Sequence, residues 1–246
     1  MTEPAPMQAL IGERLLAACE QAQTEHALLR SLTLLAAAMP SHDPLALLDL
    51  PLAERNCLLL QLRRLSFGST LQGYASCPQC GTAMEFSLGV DAVLESMSEP
   101  AVQPPVGWND AGIDFRLRQA TTTDLLDCAR MPTAEQAVQR LLARCLGVDC
   151  LSDAAAANVG RPSVRAHFDQ LHADSEWRCT LQCPQCAHED TWDLDIGHFV
   201  WMEARHAARR LLNEVHTLAL HYGWSESAIV ALSQQRRDAY LELLSA

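Results

Sequence analysis

Apolar spacing divides this chain into helical ends and a mixed middle. Over residues 24–38, apolar side chains fall at Ala27, Leu28, Leu32, Leu34 and Leu35, the recurrence of a helix packed on one side, and Pro40 stops it. Pro51 suits the first turn of a second helix through Leu52, Cys57, Leu58, Leu59, Leu62 and Leu65, with Gly68 as its stop. Two later stretches change to a period of two, as half-buried strands do. These are Met84-Glu85-Phe86-Ser87-Leu88 and Trp192-Asp193-Leu194-Asp195-Ile196. A third alternating stretch follows the Pro-rich residues 100–105, with Ile113, Phe115 and Leu117 on one face and Asp114, Arg116 and Arg118 on the other.

Thr133 and Gln136 have the spacing of a capping box for a helix over residues 134–146, which Gly147 terminates. Residues 152–160, with four consecutive alanines, carry no clear period and stay unassigned. A short helix over residues 163–171 leads into the second strand pair. The most regular pattern comes last. Over residues 199–222, Val200, Ala204, Ala207, Ala208, Leu211, Val215, Leu218 and Ala219 form one helical stripe opposite Glu203, His206, Arg210, Asn213 and Thr217. At 1.5 Å per residue this rod is about 36 Å long. Gly223 closes it. Ser225 and Ser233 are candidate N-caps for two short helices, the first with Ile229 and Leu232, the second with Tyr240, Leu241 and Leu244. The stripe is rich in small residues, so it suits either a partner helix or the N-terminal helices of the same chain.

The chemistry lies at the tips of the two strand pairs. Cys-Pro-Gln-Cys occurs twice, at Cys77–Cys80 and Cys183–Cys186, each time running into an alternating strand. Two thiolates two residues apart on a tight turn can grip an ion from two corners, and a second pair completes a tetrahedron, the donor set of structural zinc. The usual gap between pairs is about 15–20 residues; here 102 residues separate Cys80 from Cys183, so the metal would act as a clasp. A thioredoxin-like pair is disfavoured because such a motif opens a helix. Local disulfides are disfavoured in a reducing compartment. Separate metals helped by a residue such as His188 are a third alternative. The preferred reading is one structural Zn2+ per chain on Cys77, Cys80, Cys183 and Cys186. Cys19, Cys57, Cys128, Cys145, Cys150 and Cys179 sit in apolar surroundings and read as small buried hydrophobes. Cys179 shares its strand face with Trp177 and Leu181.

Composition narrows the function. Of 246 residues 49% are hydrophobic, yet no apolar run is long enough to cross a bilayer. The opening Met1-Thr2-Glu3-Pro4 is unlike a secretory signal, which with ten cysteines points to the cytoplasm. The net charge of −12 argues against non-specific nucleic-acid binding. Residues 198–246 hold five Arg against five acidic residues, so no basic face dominates there, and the adjacent Arg236 and Arg237 read as a solvated helix face. No Gly-rich phosphate loop, HExxH or GxSxG is present. Four cysteines leave zinc no open position for catalysis. His206, His216 and His221 lack a clustered carboxylate. The chain is therefore expected not to be an enzyme.

The expected fold is α+β, mostly helical, with a small antiparallel zinc-ribbon sheet formed by the two distant CPxC hairpins. Its parts are an N-terminal helical region (1–68), a first hairpin (69–98), an inserted strand-plus-helices segment (99–175), a second hairpin (176–197) and a C-terminal helical arm (198–246). The paired hairpins, the long helix after the second, and the ending His221-Tyr222-Gly223-Trp224-Ser225, Ile229-Val230-Ala231-Leu232-Ser233, Arg236-Arg237 and Tyr240-Leu241 resemble a phage-tail family. This is the family of T-even-type baseplate hub assembly chaperones of contractile phages and contractile injection systems. The resemblance is strongest over residues 177–246 and weaker over 50–90. It implies a non-enzymatic chaperone or scaffold whose partners are baseplate hub, tail-tube or tape-measure proteins, with no membrane and no nucleic acid. It places the protein in the cytoplasm of the producing cell, with attachment to the virion or injection particle left open. The alternative is a zinc-ribbon protein associated with nucleic acid or transcription, its last two helices passing for a helix-turn-helix.

Overall fold

The leucine-rich N-terminus forms one wall of the main core. The computed structural model describes residues 6–96, 104–148, 153–173 and 177–245. Helix α1 (Gly12–Gln23) packs on α2 (Ala27–Ala38). The sequence pattern begins α2 at residue 24, but Thr24 closes α1 and the His26 side chain accepts from the Leu28 amide, so the second helix starts at Ala27. After α3 (Pro44–Leu48) comes α4 (Leu52–Phe67), ended by Gly68 at φ 94°, as expected. Pro51 serves as the cap of α4, and the first free amide of the helix, at Leu52, donates to the Ala120 carbonyl at 3.0 Å.

Strands β1 (Thr70–Ser76) and β2 (Ala83–Gly89) form the first hairpin, followed by α5 (Val90–Ser96). The inserted segment holds a hairpin of which the sequence pattern shows only the second strand. Strand β3 (Val106–Asp110) pairs with β4 (Ile113–Leu117). Their link, Ala111 and Gly112, has φ of 52° and 80°, the two positive values of a tight hairpin turn. Helices α6 (Thr122–Cys128), α7 (Ala134–Cys145), α8 (Asp153–Val159) and α9 (Pro162–Leu171) complete the insert. At α7, Thr133 accepts from the Gln136 amide, while the full capping box sits on α6, between Thr121 and Asp124. The insert has its own core, with Phe115, Leu142, Val159 and Val164 buried together and Trp108 stacked between Phe115 and His167.

Strands β5 (Trp177–Gln182) and β6 (Glu189–Leu194) make the last hairpin. The three hairpins are three separate two-stranded sheets. This corrects the expectation of one zinc-ribbon sheet: each cysteine hairpin pairs only within itself, and the two meet at their turns.

Helix α10 (Ile196–Tyr222) then starts three residues before the pattern suggested, because the Asp195 side chain caps it by accepting from the His198 amide. Its stripe is core. Val200, Trp201, Ala204, Ala208, Leu211, Val215 and Leu218 are buried against α1, α2 and α4. The small residues let its backbone approach the leucines of α2 and α4, so the helix is an internal spine and not a free arm. Helices α11 (Glu226–Val230) and α12 (Gln234–Ser245) fold back onto it, burying Ile229. Tyr222, Trp224 and Tyr240 form a cluster with ring centroids 4.8–5.7 Å apart. Arg237, expected in solvent, is buried and its Nε donates to Glu214 of α10 at 2.7 Å. At the other end of α10, Arg63 is bound to Glu203 through two bonds of 2.8 Å and also donates to the carbonyls of Gly68 and Thr70. Both acidic residues of α10 are thus engaged, while Arg205, Arg209 and Arg210 are exposed. Among the described residues, no helix is long and apolar enough to cross a membrane.

The insert is held by a buried carboxylate. Asp124 has no exposed side-chain surface, and it accepts from Arg118 at 2.6 and 2.9 Å, from Arg144 at 3.0 Å and from the Thr121 amide at 3.0 Å. Burial pushes its pKa up, but the Arg118 bonds, the Thr121 amide and Arg144 outweigh this and bring it to about 2, from 3.8. A depressed carboxylate contributes stability above its unfolded pKa and loses it as pH falls through the folded one. The contribution of Asp124, roughly 2 kcal/mol at 1.36 kcal/mol per pKa unit, should therefore disappear between about pH 4 and pH 2. Asp124→Asn is expected to lower Tm at pH 7 and to flatten that acid limb in thermal melts. An acid limb as steep as that of the wild type would show that this carboxylate is not its source.

Candidate metal centre

Each cysteine turn is built by backbone geometry before any ion is considered. In the first hairpin the Cys77 amide donates to the Thr82 carbonyl at 2.9 Å, and the Gly81 amide donates back to the Cys77 carbonyl at 2.9 Å. The second repeats this, with Cys183 donating to His188 at 2.8 Å and Ala187 to Cys183 at 2.9 Å. The residue after the second cysteine is left-handed in both turns, Gly81 at φ 73° and Ala187 at φ 58°. Proline at the second position of each turn presets its φ. The two turns are structural copies.

They face one another. The sulfurs of Cys77, Cys80, Cys183 and Cys186 all lie within 4.8 Å of one another. Cys77 Sγ is 3.6 Å from Cys186 Sγ, and Cys80 Sγ is 3.6 Å from Cys183 Sγ. A tetrahedron of sulfurs about 2.3 Å from a central ion has edges of about 3.8 Å, so the cluster is already close to the size needed. Cys77 and Cys183 are buried, with Met84, Leu181 and Trp192 packed around them, while Cys80 and Cys186 are exposed. The four could bind a metal ion.

The electrostatics favour a cation. The Thr82 hydroxyl, 3.2 Å from Cys80 Sγ, and the Thr82 backbone bring the Cys80 thiol down to about 6. At Cys186 a backbone bond at His188 works downward, but desolvation and the sulfurs of Cys80, Cys77 and Cys183 drive the thiol up to about 12. One thiolate forms readily and then opposes the next. Four thiolates at this spacing need a positive charge among them.

The remaining cysteines behave as buried hydrophobes. Burial raises Cys19 and Cys128 to about 11 and Cys145 to about 12, and it also raises Cys57 and Cys179. Cys150 lies outside the described residues. His188 contributes its backbone carbonyl to the turn and is not in the sulfur cluster; His206, His216 and His221 are exposed on α10. Among the described residues no other Cys, His, Asp or Glu group has metal-binding geometry. The sequence reading missed Thr82, whose only signal is its place two residues after the second cysteine.

With this geometry established, the comparisons give the class. A family model described as T4 bacteriophage base plate protein matches residues 12–152. The chain belongs to the T4-type phage baseplate protein family. The match runs from α1 through α7 and includes Cys77 and Cys80. It therefore differs in extent from the sequence resemblance, which was placed chiefly over residues 177–246. No curated protein and no solved structure matches the chain.

The left-handed residues make the turns testable. A Cβ at Gly81 would meet nothing within 4 Å, so Gly81→Ala adds only backbone strain. It is expected to cost about 1 kcal/mol, and Ala187→Gly is expected to stabilise by relieving the same strain. Denaturant melts in which both substitutions shift stability in the same direction would contradict the reading.

Proposed function

We propose that this protein is a non-enzymatic assembly factor, a chaperone or scaffold for the baseplate hub of a contractile tail or contractile injection system, with one structural zinc on its four cysteines. The family match over residues 12–152 carries the reading. Two further features support it. Four sulfurs would fill a zinc shell and leave no position for water or substrate, which suits a structural ion. The clasp would join hairpins rooted at α4 and α10, and so fix the shape of a body whose role is to be recognised by hub, tail-tube or tape-measure proteins. The ion itself would supply folding free energy by holding two turns that do not share a sheet. The nucleic-acid alternative loses support from the C-terminal helices. Of the two adjacent arginines there, Arg237 is taken up by Glu214.

Zinc is tested by elemental analysis of the purified chain, with one zinc per chain expected; none, or two, would refute the shared site. Cys183→Ser should lower Tm by several degrees, since structural zinc contributes on the order of 10 kcal/mol in small domains. A Tm within a degree or two of wild type would count against the clasp.

For assembly, the gene is deleted in the producing cell and tail particles are counted by electron microscopy. The expected result is loss of complete baseplates, restored by wild type but not by Cys183→Ser. Affinity purification should recover hub, tail-tube or tape-measure proteins. Normal particles in the deletion strain, or recovery of RNA polymerase or DNA instead, would overturn the proposal.

A further inference from the structure

Among the described residues three arginines are buried, and two of them are paired with a carboxylate: Arg63 with Glu203 and Arg237 with Glu214. The third, Arg55, is 8% exposed and makes no ion pair among the described residues. Its Nε and Nη2 donate to Asn56 Oδ1 at 3.1 and 2.9 Å, and its Nη1 donates to Thr122 Oγ1 at 3.2 Å. All three bonds go to neutral oxygens, and a guanidinium has five donors. Burying a charge without its counter-charge costs free energy. Burial accordingly pushes the Arg55 pKa down, with the Asp195 charge working against it. Asp195 is felt through its charge but makes no ion pair with Arg55, its Oδ1 accepting from the His198 amide at 3.0 Å at the start of α10.

Arg55 lines a cleft of about 450 Å³ where α2, α4, the insert and the second hairpin converge. That volume lies within the range of about 300–1,000 Å³ common for ligand clefts. One wall is apolar, formed by Leu28, Leu52, Leu125, Phe168, Trp177 and Leu194, while Ser31, Asn56 and His198 are among the polar lining residues. Two carboxylates stand at its edge: Asp193, paired with Arg178 at 3.0 Å, and Asp195, which caps α10. His172, also in the wall, accepts from the Ala120 amide at 2.8 Å through Nε2. The cleft combines an apolar wall with one desolvated guanidinium, and its two carboxylates lie at the edge beside the second hairpin.

We propose that this cleft binds a segment of a partner polypeptide through an Asp or Glu side chain that pairs with Arg55, with a neighbouring apolar side chain of the segment against the leucine and aromatic wall. Guanidinium and carboxylate match in shape and form two parallel bonds. The apolar wall selects a peptide over a bare anion. The inference rests on the assembly reading only for the source of the carboxylate, a protein. An occupant would touch the helical body, the insert and the second hairpin at once, and would stiffen the seam between them.

The test uses the purified full chain, so it reads the cleft whether or not tails assemble. The probes are the tripeptide acetyl-Leu-Glu-Leu-amide, its glutamine counterpart, and sodium acetate, each titrated by calorimetry and by the Arg Nε resonances in NMR. The glutamate peptide should bind at least about tenfold more tightly than the glutamine peptide, as a charge-assisted pair requires. It should also shift the Arg55 resonance. Arg55→Gln should abolish that preference, while Arg236→Gln, at an exposed site, should leave it intact. Equal binding of the two peptides, no binding of either, or a preference that survives Arg55→Gln would overturn the site. Acetate binding as tightly as the glutamate peptide would overturn the polypeptide ligand. If Arg55→Gln fails to fold, the wild-type resonance decides: a shift with the glutamate peptide alone supports the proposal, and any other pattern rejects it.

Discussion

The rest of the structure depends on the buried ion pair between Arg63 and Glu203. Arg63 stands near the end of α4, its guanidinium also holds the Gly68 and Thr70 carbonyls at the root of the first hairpin, and Glu203 lies in the early turns of α10, just after the second. One side chain therefore fixes the departure points of both cysteine turns. With Arg63 2% exposed and Glu203 only half-buried, it is loss of Glu203 that leaves a charge in the interior, a defect that costs about 3–5 kcal/mol. Two thiol pairs more than a hundred residues apart in sequence converge where their two roots are held to one another.

The buried stripe of α10 shows where sequence reasoning stops. Alanine and leucine at helical spacing identify an apolar face equally well whether it meets a foreign helix or α2 of the same chain. Only the tertiary structure decides, and here α1, α2 and α4 cover it. Arg237 failed for a related reason, because its charge reads as solvent-exposed until Glu214, on another helix, is placed beside it. The caps were legible because they act within a few residues: Asp195 aside, Gly68, Gly147, Gly223 and Ser225 stand where their chemistry requires. The hairpin β3–β4 was only half legible. Val106-Gly107-Trp108-Asn109-Asp110 carries a glycine in place of alternation, and its turn needs an alanine at positive φ, which local propensity disfavours. The cysteine cluster was legible because a metal site repeats its own local motif at each half.

Family membership and the sulfur cluster cover different parts of the chain. The matched residues 12–152 include the N-terminal helices, the first cysteine turn and most of the insert; the second turn and α10 lie beyond them. Yet the fold does not divide there. α10 is packed into the core that the matched helices build, and the Leu52 amide and Ala120 carbonyl join that body to the insert. The two halves of the sulfur site belong to one mechanical unit, with the insert as an excursion between them that carries its own core.

The engagement of Glu203 and Glu214 has an effect at long range. With its two carboxylates neutralised from within, α10 shows solvent Arg205, Arg209 and Arg210, on a molecule whose net charge is −12. Its charge is therefore unevenly distributed, with a positive ridge on a negative body. A charged surface coming near experiences a torque before contact, and this biases which face arrives first. In 0.1 M salt that bias reaches only about 10 Å, so the ridge would act in the last step of an encounter and fade as ionic strength rises. Ion pairs that hold the interior together thus also set the orientation in which the protein meets its surroundings.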